Sequence, residues 1–285
     1  MLTSKRSLLA ANLFAGLALC SAPAFAQTND TATAETLLVE DAAGNPVAFE
    51  LERATAVVDA DQVSYADAES AFELSGNVAL VSEYRFRGVD LSGGEFAVQG
   101  GIDLAHSSGL YAGAWGSSLD EDTVGFGSSE LDLYGGFGGN LSDAVSFDLG
   151  AIVYLYPDAG PGDFDYYEFY GSLGFNLGPA EATFGVAYAP DQASLGSTDN
   201  FYVYADLGAG IPGTPFTVTG HLGYTDGFLT FTDDGKAFDW SIGVEASVAG
   251  PVSVGVSYTE AEGDFLPGDY DFTDGAVVFS VSASI

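Results

Sequence analysis

Basic residues are almost missing from this sequence: Lys and Arg total 6 in 285 residues, against 41 Asp and Glu. A nucleic-acid surface needs clustered Lys and Arg to meet the phosphates, so that class of partner is excluded. Cysteine occurs once, at Cys20, which rules out an intramolecular disulfide framework. Histidine occurs twice, at His106 and His221, and neither sits in a nucleophile motif of the kind a Ser-His-acid hydrolase needs, so the chain reads as non-enzymatic. The run Gly135-Gly136-Phe137-Gly138-Gly139 is followed by no helix pattern and is not a phosphate loop. Asp269, Asp271 and Asp274 have the outline of a calcium loop, but the glycine at the sixth position and the glutamate at the twelfth are absent. No metal or cofactor is therefore expected. Long apolar runs are missing too. Beyond residue 26 none reaches the roughly 18 residues of a membrane-spanning helix. A chain like this can enter a bilayer only as a closed β-barrel, the alternative that satisfies every backbone group in lipid.

What the sequence does have is glycine and aromatics: 38 Gly, 21 Phe and 15 Tyr. That combination suits many short strands joined by turns. The first residues read as a signal peptide spanning 1–26. Lys5 and Arg6 give a positive start, Leu8 to Leu19 a short apolar stretch, and Ala24-Phe25-Ala26 a cleavage site. With the signal go Cys20 and two of the six basic residues, leaving Arg53, Arg85, Arg87 and Lys236 against all 41 acids. Residues 27–71 are acidic and rich in Ala and Thr, and read as a flexible pre-barrel segment. The charge balance fits both solubility in a salty habitat and a lumen that attracts cations.

From Phe72 to the end, residues 72–285, the pattern changes to alternation with period two. In Val145 to Tyr156, Val145, Phe147, Leu149, Ala151, Val153 and Leu155 share one face, and Ile152 breaks the polarity of the other. Phe201, Val203, Ala205 and Leu207 alternate with Tyr202, Tyr204, Asp206 and Gly208. Phe238, Trp240, Ile242, Val244 and Ala246 alternate with Asp239, Ser241, Gly243, Glu245 and Ser247. Such runs predict about twelve strands of roughly ten residues, the length a tilted membrane strand needs. They start near Gly76, Glu95, Gly109, Ser129, Val145, Asp165, Ala180, Asn200, Phe216, Ala237, Pro251 and Gly275. The connections alternate between short ones, such as His106 to Gly109 and Ala249 to Pro251, and long ones, such as Leu119 to Ser128 and Glu260 to Asp274. The fold class expected is all-β: a transmembrane, antiparallel, up-and-down β-barrel with short periplasmic turns and long outer loops. A soluble sandwich also alternates. Its polar faces would carry Lys, however, and beyond the signal Lys236 stands alone. Tyr84, Phe86, Tyr188, Tyr224 and Tyr258, near strand ends, are candidates for interfacial girdles.

The stretch Ser75-Gly76-Asn77-Val78-Ala79-Leu80-Val81-Ser82-Glu83-Tyr84-Arg85-Phe86-Arg87-Gly88 is similar to the opening of the TorF-type porin family of proteobacteria. The resemblance continues through Val98-Gln99-Gly100-Gly101-Ile102-Asp103, Ser108 to Ser117, Glu130 to Phe137 and Tyr154-Leu155-Tyr156-Pro157. It closes with Asp274 to Ser282 and so covers about Gly76 to the end. It implies an outer-membrane channel of a Gram-negative bacterium. Val277, Phe279, Val281, Ala283 and Ile285 alternate to the last residue. This run looks like the C-terminal strand read by the barrel-assembly machinery, with Ile285 where Phe is commonest.

Arg85 and Arg87 sit two apart and so share a face. If Val78, Leu80, Tyr84 and Phe86 face lipid, then Glu83, Arg85 and Arg87 face the lumen. An arginine on lipid would cost about 2–4 kcal/mol at the midplane. Asp103, Asp132, Asp148, Glu168, Asp206, Asp239 and Glu245 are the facing acids from other strands, and with the arginines they are the pore-lining candidates. Asp120, Glu121, Asp122, Asp233, Asp234 and Asp264 add acid at the mouth. The expected function is passive diffusion of small solutes, with cations preferred. A plugged structural or adhesive barrel is the alternative. Expected partners are outer-membrane lipid, the assembly machinery and the solutes themselves; oligomeric state is not readable.

Overall fold

The computed structural model describes residues 36–40, 46–50, 71–230, 232–265 and 270–285, which belong to two units. In the first, β1 (Thr36–Glu40) pairs with β2 (Pro46–Glu50) as an antiparallel hairpin, Thr36 opposite Glu50. The signal-peptide reading of residues 1–26, and most of the expected pre-barrel segment, lie outside the described residues.

The second unit is a closed barrel of twelve antiparallel strands. Its wall begins with β3 (Phe72–Val81). Two short strands follow, β4 (Arg85–Phe86) and β5 (Val89–Asp90), which pair with each other and stay out of the wall. The wall resumes with β6 (Ala97–His106) and β7 (Leu110–Ser118); a helical turn, α1 (Glu121–Val124), precedes β8 (Ser129–Ser142). Then come β9 (Val145–Leu155), β10 (Tyr166–Asn176), β11 (Ala180–Gln192), β12 (Thr198–Gly210), β13 (Phe216–Gly227), β14 (Thr232–Ala249), β15 (Val252–Phe265) and β16 (Ala276–Ser284). Each wall strand pairs with the next, and β16 closes on β3 with Val281 opposite Leu80 and Ala283 opposite Val78. The expected up-and-down barrel of about twelve strands is the architecture found.

The side-chain period of two decides which residues go where. On β9, Leu149 and Val153 are exposed on the outside, while Asp148 and Tyr154 are buried inside. Ile152, which broke the polar pattern, points inward and is fully buried. The same sorting holds around the ring: Val98, Ile102, Phe169, Phe184, Leu222 and Phe279 are among the apolar side chains left exposed, whereas Glu130, Glu168 and Asp239 are buried. The barrel is therefore inverted relative to a soluble one, apolar outside and polar inside. Short turns collect at one end of the barrel and the long connections at the other, as expected.

The glycine and tyrosine content has a packing reason. Inward tyrosines lie directly opposite inward glycines on the neighbouring strand: Tyr134 opposite Gly113, Tyr170 opposite Gly150, Tyr204 opposite Gly185. A Cβ on any of these glycines would collide with the facing ring. Small and large residues thus interlock across strands, and the rings lie along the inner wall. A Gly150→Val substitution should dislodge Tyr170, whose hydroxyl lies 2.5 Å from that of Tyr111. The expected loss is about 1–3 kcal/mol of stability, typical of overpacking, read by urea unfolding in lipid vesicles. A Gly208→Val control, with nothing within 4 Å of the new Cβ, should be close to neutral.

Candidate functional site

The chain does not continue as wall after Val81. Ser82 makes the last ladder contact, its amide bonding Phe279 O at 2.8 Å and its hydroxyl accepting from the Phe279 amide at 2.9 Å. The following residues then turn into the lumen. β4 and β5 form a tight hairpin whose two turn residues, Arg87 and Gly88, both have positive φ, at 49° and 78°. That is the geometry a two-residue hairpin turn requires, and an arginine there costs about 1–2 kcal/mol relative to glycine. Gly88 cannot be replaced cheaply either, because a Cβ would stand 2.7 Å from Ala261 Cβ and 2.9 Å from Asp239 Cβ.

The tip of the hairpin is pinned on the far wall. Arg87 Nη2 lies 2.6 Å from Glu168 Oε2 on β10, with both side chains almost wholly buried. Tyr154 OH donates to the same carboxylate oxygen at 3.1 Å. The guanidinium also stacks 4.2 Å above the Tyr202 ring on β12. Tyr84 packs edge-on against Trp115 on β7 and its hydroxyl reaches Glu130 on β8 at 3.3 Å. Phe86 packs on Tyr154 on β9. The infolded segment thus touches β7, β8, β9, β10 and β12, and Gly88 touches β14 and β15.

The base of the hairpin is tied with equal care. Arg85 pairs with Glu83 and donates to the carbonyls of Gly88 at 3.0 Å and Phe272 at 3.1 Å. The fully buried Asp90 accepts from the amides of Ser92 at 2.8 Å and Gly94 at 2.6 Å, and from Tyr270 OH at 2.6 Å. The acid-rich loop before β16, read as a solvated outer loop, in fact contributes Tyr270 and Phe272 to this anchor. Above it, the loops following β7 and β9 are joined by Asp158, which accepts from the Ser128 amide at 3.0 Å and Ser129 Oγ at 2.9 Å. The hydrogen bonds from Ser128 and Ser129 lower its carboxyl to about 2. This tie is favoured at any pH above the ordinary aspartate range and lost as pH falls through about 2.

Four of the remaining candidate acids, Asp103, Asp148, Asp206 and Asp239, line the wall in pairs with hydroxyls or imidazole. Tyr111 OH reaches both oxygens of Asp148 at 2.8 and 2.9 Å, and Tyr134 OH donates to Asp103 at 2.5 Å. His221 bridges two of the acids: Nδ1 lies 2.6 Å from Asp206 and Nε2 2.8 Å from Asp239. Each ring nitrogen faces a carboxylate, an arrangement that satisfies an imidazolium. Asp132 is buried beside Glu130 on β8, and Glu245 sits half-buried on the inner face of β14, apart from these groups. Among the described residues no cluster of His, Cys, Asp and Glu is placed to hold a metal ion.

A family model described as "Bacterial protein of unknown function (Gcw_chp)" matches residues 65–285. The chain belongs to this family. No curated protein matches it in sequence. Among solved structures, this Gcw_chp member is similar to the KdgM porin at 8% identity, covering 74% of this chain and 97% of that one, with a TM-score of 0.49. It is also similar to Pseudomonas aeruginosa OpdK with vanillate, at 13% identity over 76% and 66% of the two chains, with a TM-score of 0.41. Acinetobacter baumannii OccAB3 matches at 10% identity over 77% and 66%, again with a TM-score of 0.41.

The Gcw_chp barrel corrects one sequence expectation. Arg85 and Arg87 do not sit on a wall strand, and Tyr84 and Phe86 do not face outward. All four belong to the infolded segment, with Tyr84, Arg85 and Arg87 buried and Phe86 packed against Tyr154. The alternation there is real but belongs to β4, which is extended inside the lumen. His221, which the sequence shows only as a histidine outside any nucleophile motif, is the group that sequence reasoning does not find. Its signal was its place opposite Asp206 in the β12–β13 register.

Removing one partner from a buried ion pair leaves an uncompensated charge and costs about 3–5 kcal/mol. Glu168→Ala should therefore release the hairpin tip while leaving the wall closed. Trypsin, to which folded wild-type protein should resist cutting at Arg85 and Arg87, should then cleave there. Equal resistance in both proteins would show that the pair does not hold the segment.

Proposed function

We propose that this protein is an outer-membrane channel of the porin type, narrowed by its own infolded hairpin, which passes small solutes by passive diffusion and prefers cations. The observation that carries the reading is the inverted barrel: an apolar outer face around a lumen lined with buried acids, hydroxyls and arginine. Such an outer face suits a bilayer and such an interior suits water and ions. In this reading residues 1–26 direct export and are removed near Ala26, β16 is read by the barrel-assembly machinery, and the TorF-type resemblance names the same class. The protein performs no catalysis.

Within the lumen, Asp103, Asp132, Asp148, Glu168, Asp206, Asp239 and Glu245 set the sign of the field, and Asp120, Glu121, Asp122, Asp233 and Asp234 extend it to the mouth. Glu83, Arg85 and Arg87 lie on the hairpin at the constriction, where the guanidinium groups brace the segment and order ions locally. A structural or adhesive barrel without transport is the second reading. The hairpin's contacts with seven strands favour it, and twelve strands fall between the filled eight-stranded and open sixteen-stranded barrels.

Planar-bilayer recordings decide between them. The expected result is cation selectivity in a salt gradient, strong in dilute salt and weaker as the screening length falls from about 30 Å at 0.01 M to about 3 Å at 1 M. Anion selectivity would contradict the cation preference, and a silent barrel would favour the structural reading. Assembly gives a separate check. Phe279 is exposed on the outer face of β16. A Phe279→Asp protein should fail to reach normal outer-membrane levels, and unchanged levels on heat-modified gels would count against insertion through this face.

A further inference from the structure

At the long-loop end, on top of the infolded hairpin, the barrel holds an apolar cup that the channel reading does not use. Its floor is the hairpin itself, through Val89 and Leu91, both buried. One wall is aromatic: Phe126 stands 5.2 Å from the ring of Tyr156 and 5.8 Å from that of Phe164. The opposite wall comes from two helical turns between strands, Ala193–Leu195 after β11 and Phe228–Thr230 after β13, through Leu195 and the exposed Phe228. The Asp158 tie to Ser128 and Ser129 holds two of these loops together, so the aromatic wall is preformed.

The chemistry around the cup has one sign. Asp158, Asp163 and Asp165 flank the aromatic wall and are exposed, and the loops that carry this wall have no Lys or Arg. The nearby guanidinium of Arg87 is already paired with Glu168. An anion entering the cup would meet acids without a compensating cation. A purely apolar molecule would gain from the walls but not from the field. An organic cation gains from both, because ring faces attract a cation placed over them.

We propose that this cup binds a small apolar organic cation, an ammonium group carried on an aromatic or branched-alkyl body. The inference stands apart from the channel reading, since equilibrium binding needs no open path. The test is calorimetric titration of the full-length protein in detergent with three aromatic probes of different charge. These are benzyltrimethylammonium, its neutral near-isostere 2-methyl-1-phenyl-2-propanol, and the anion benzoate. The expected result is saturable one-site binding of the cation, about ten-fold weaker for the alcohol and absent for benzoate. Ser194→Trp, which fills the cup from its half-buried rim, should lower affinity for the cation at least about ten-fold. Phe228→Ala, which removes an exposed wall side chain, should weaken it several-fold and serves if the first variant does not fold. Equal affinity for the alcohol or the benzoate would overturn the assignment of charge. Unchanged binding in both variants would overturn the assignment of place.

Discussion

A closed barrel that turns its apolar residues outward has to keep its charge inside, and that constraint organises the rest of this molecule. Acids from β6, β8, β9, β10, β12 and β14 converge on a lumen too narrow to hydrate them all as bulk water would. Burying an ionised carboxylate without a partner is expensive. The sequence beyond the signal-like start has only four basic residues to offer, and two of them, Arg85 and Arg87, are sent into the lumen on a segment that is not wall at all. The tyrosine hydroxyls and His221 supply partners for Asp103, Glu130, Asp148, Asp206 and Asp239.

The infolded hairpin follows from the same constraint. Its left-handed Arg87 and its close contact at Gly88 are locally unfavourable, and they persist because the tip meets Glu168, Tyr154 and Tyr202 at once. Once in place the segment narrows the lumen and floors the apolar cup above it. Solute traffic and ligand binding are thus proposed for opposite sides of one short piece of chain. Phe86, Val89 and Leu91 of this segment line the cup.

Much of this was legible in the sequence, for a physical reason. Period-two alternation has to be kept over a whole strand when the two faces see opposite environments, so Val145 to Tyr156 or Phe238 to Ser247 could be sorted by eye into inside and outside. The strand starts at Ser129, Val145, Ala180 and Phe216 coincide with those in the structure. The hairpin was not legible, because alternation says that a segment is extended and not what it pairs with. Tyr84-Arg85-Phe86-Arg87 alternates as well as any wall strand does. Only Arg87-Gly88, a turn pair with an unusual first residue, marked the reversal. Pairings that depend on register across strands, such as Asp206 with His221 or Gly150 with Tyr170, were equally out of reach until the register was known.

The central claim is that residues 84–92 live inside the barrel. Backbone hydrogen exchange reads this directly, because the Asp90 amide bonds Phe272 O and the Leu91 amide bonds Tyr84 O, each at 2.8 Å, in a buried setting. If the segment is docked as described, these amides exchange slowly, like those of the neighbouring wall strands, and far more slowly than those of the exposed Gly160, Gly162 and Asp163. Exchange of Asp90 and Leu91 as fast as that open loop, in a barrel whose wall strands remain protected, would contradict the account.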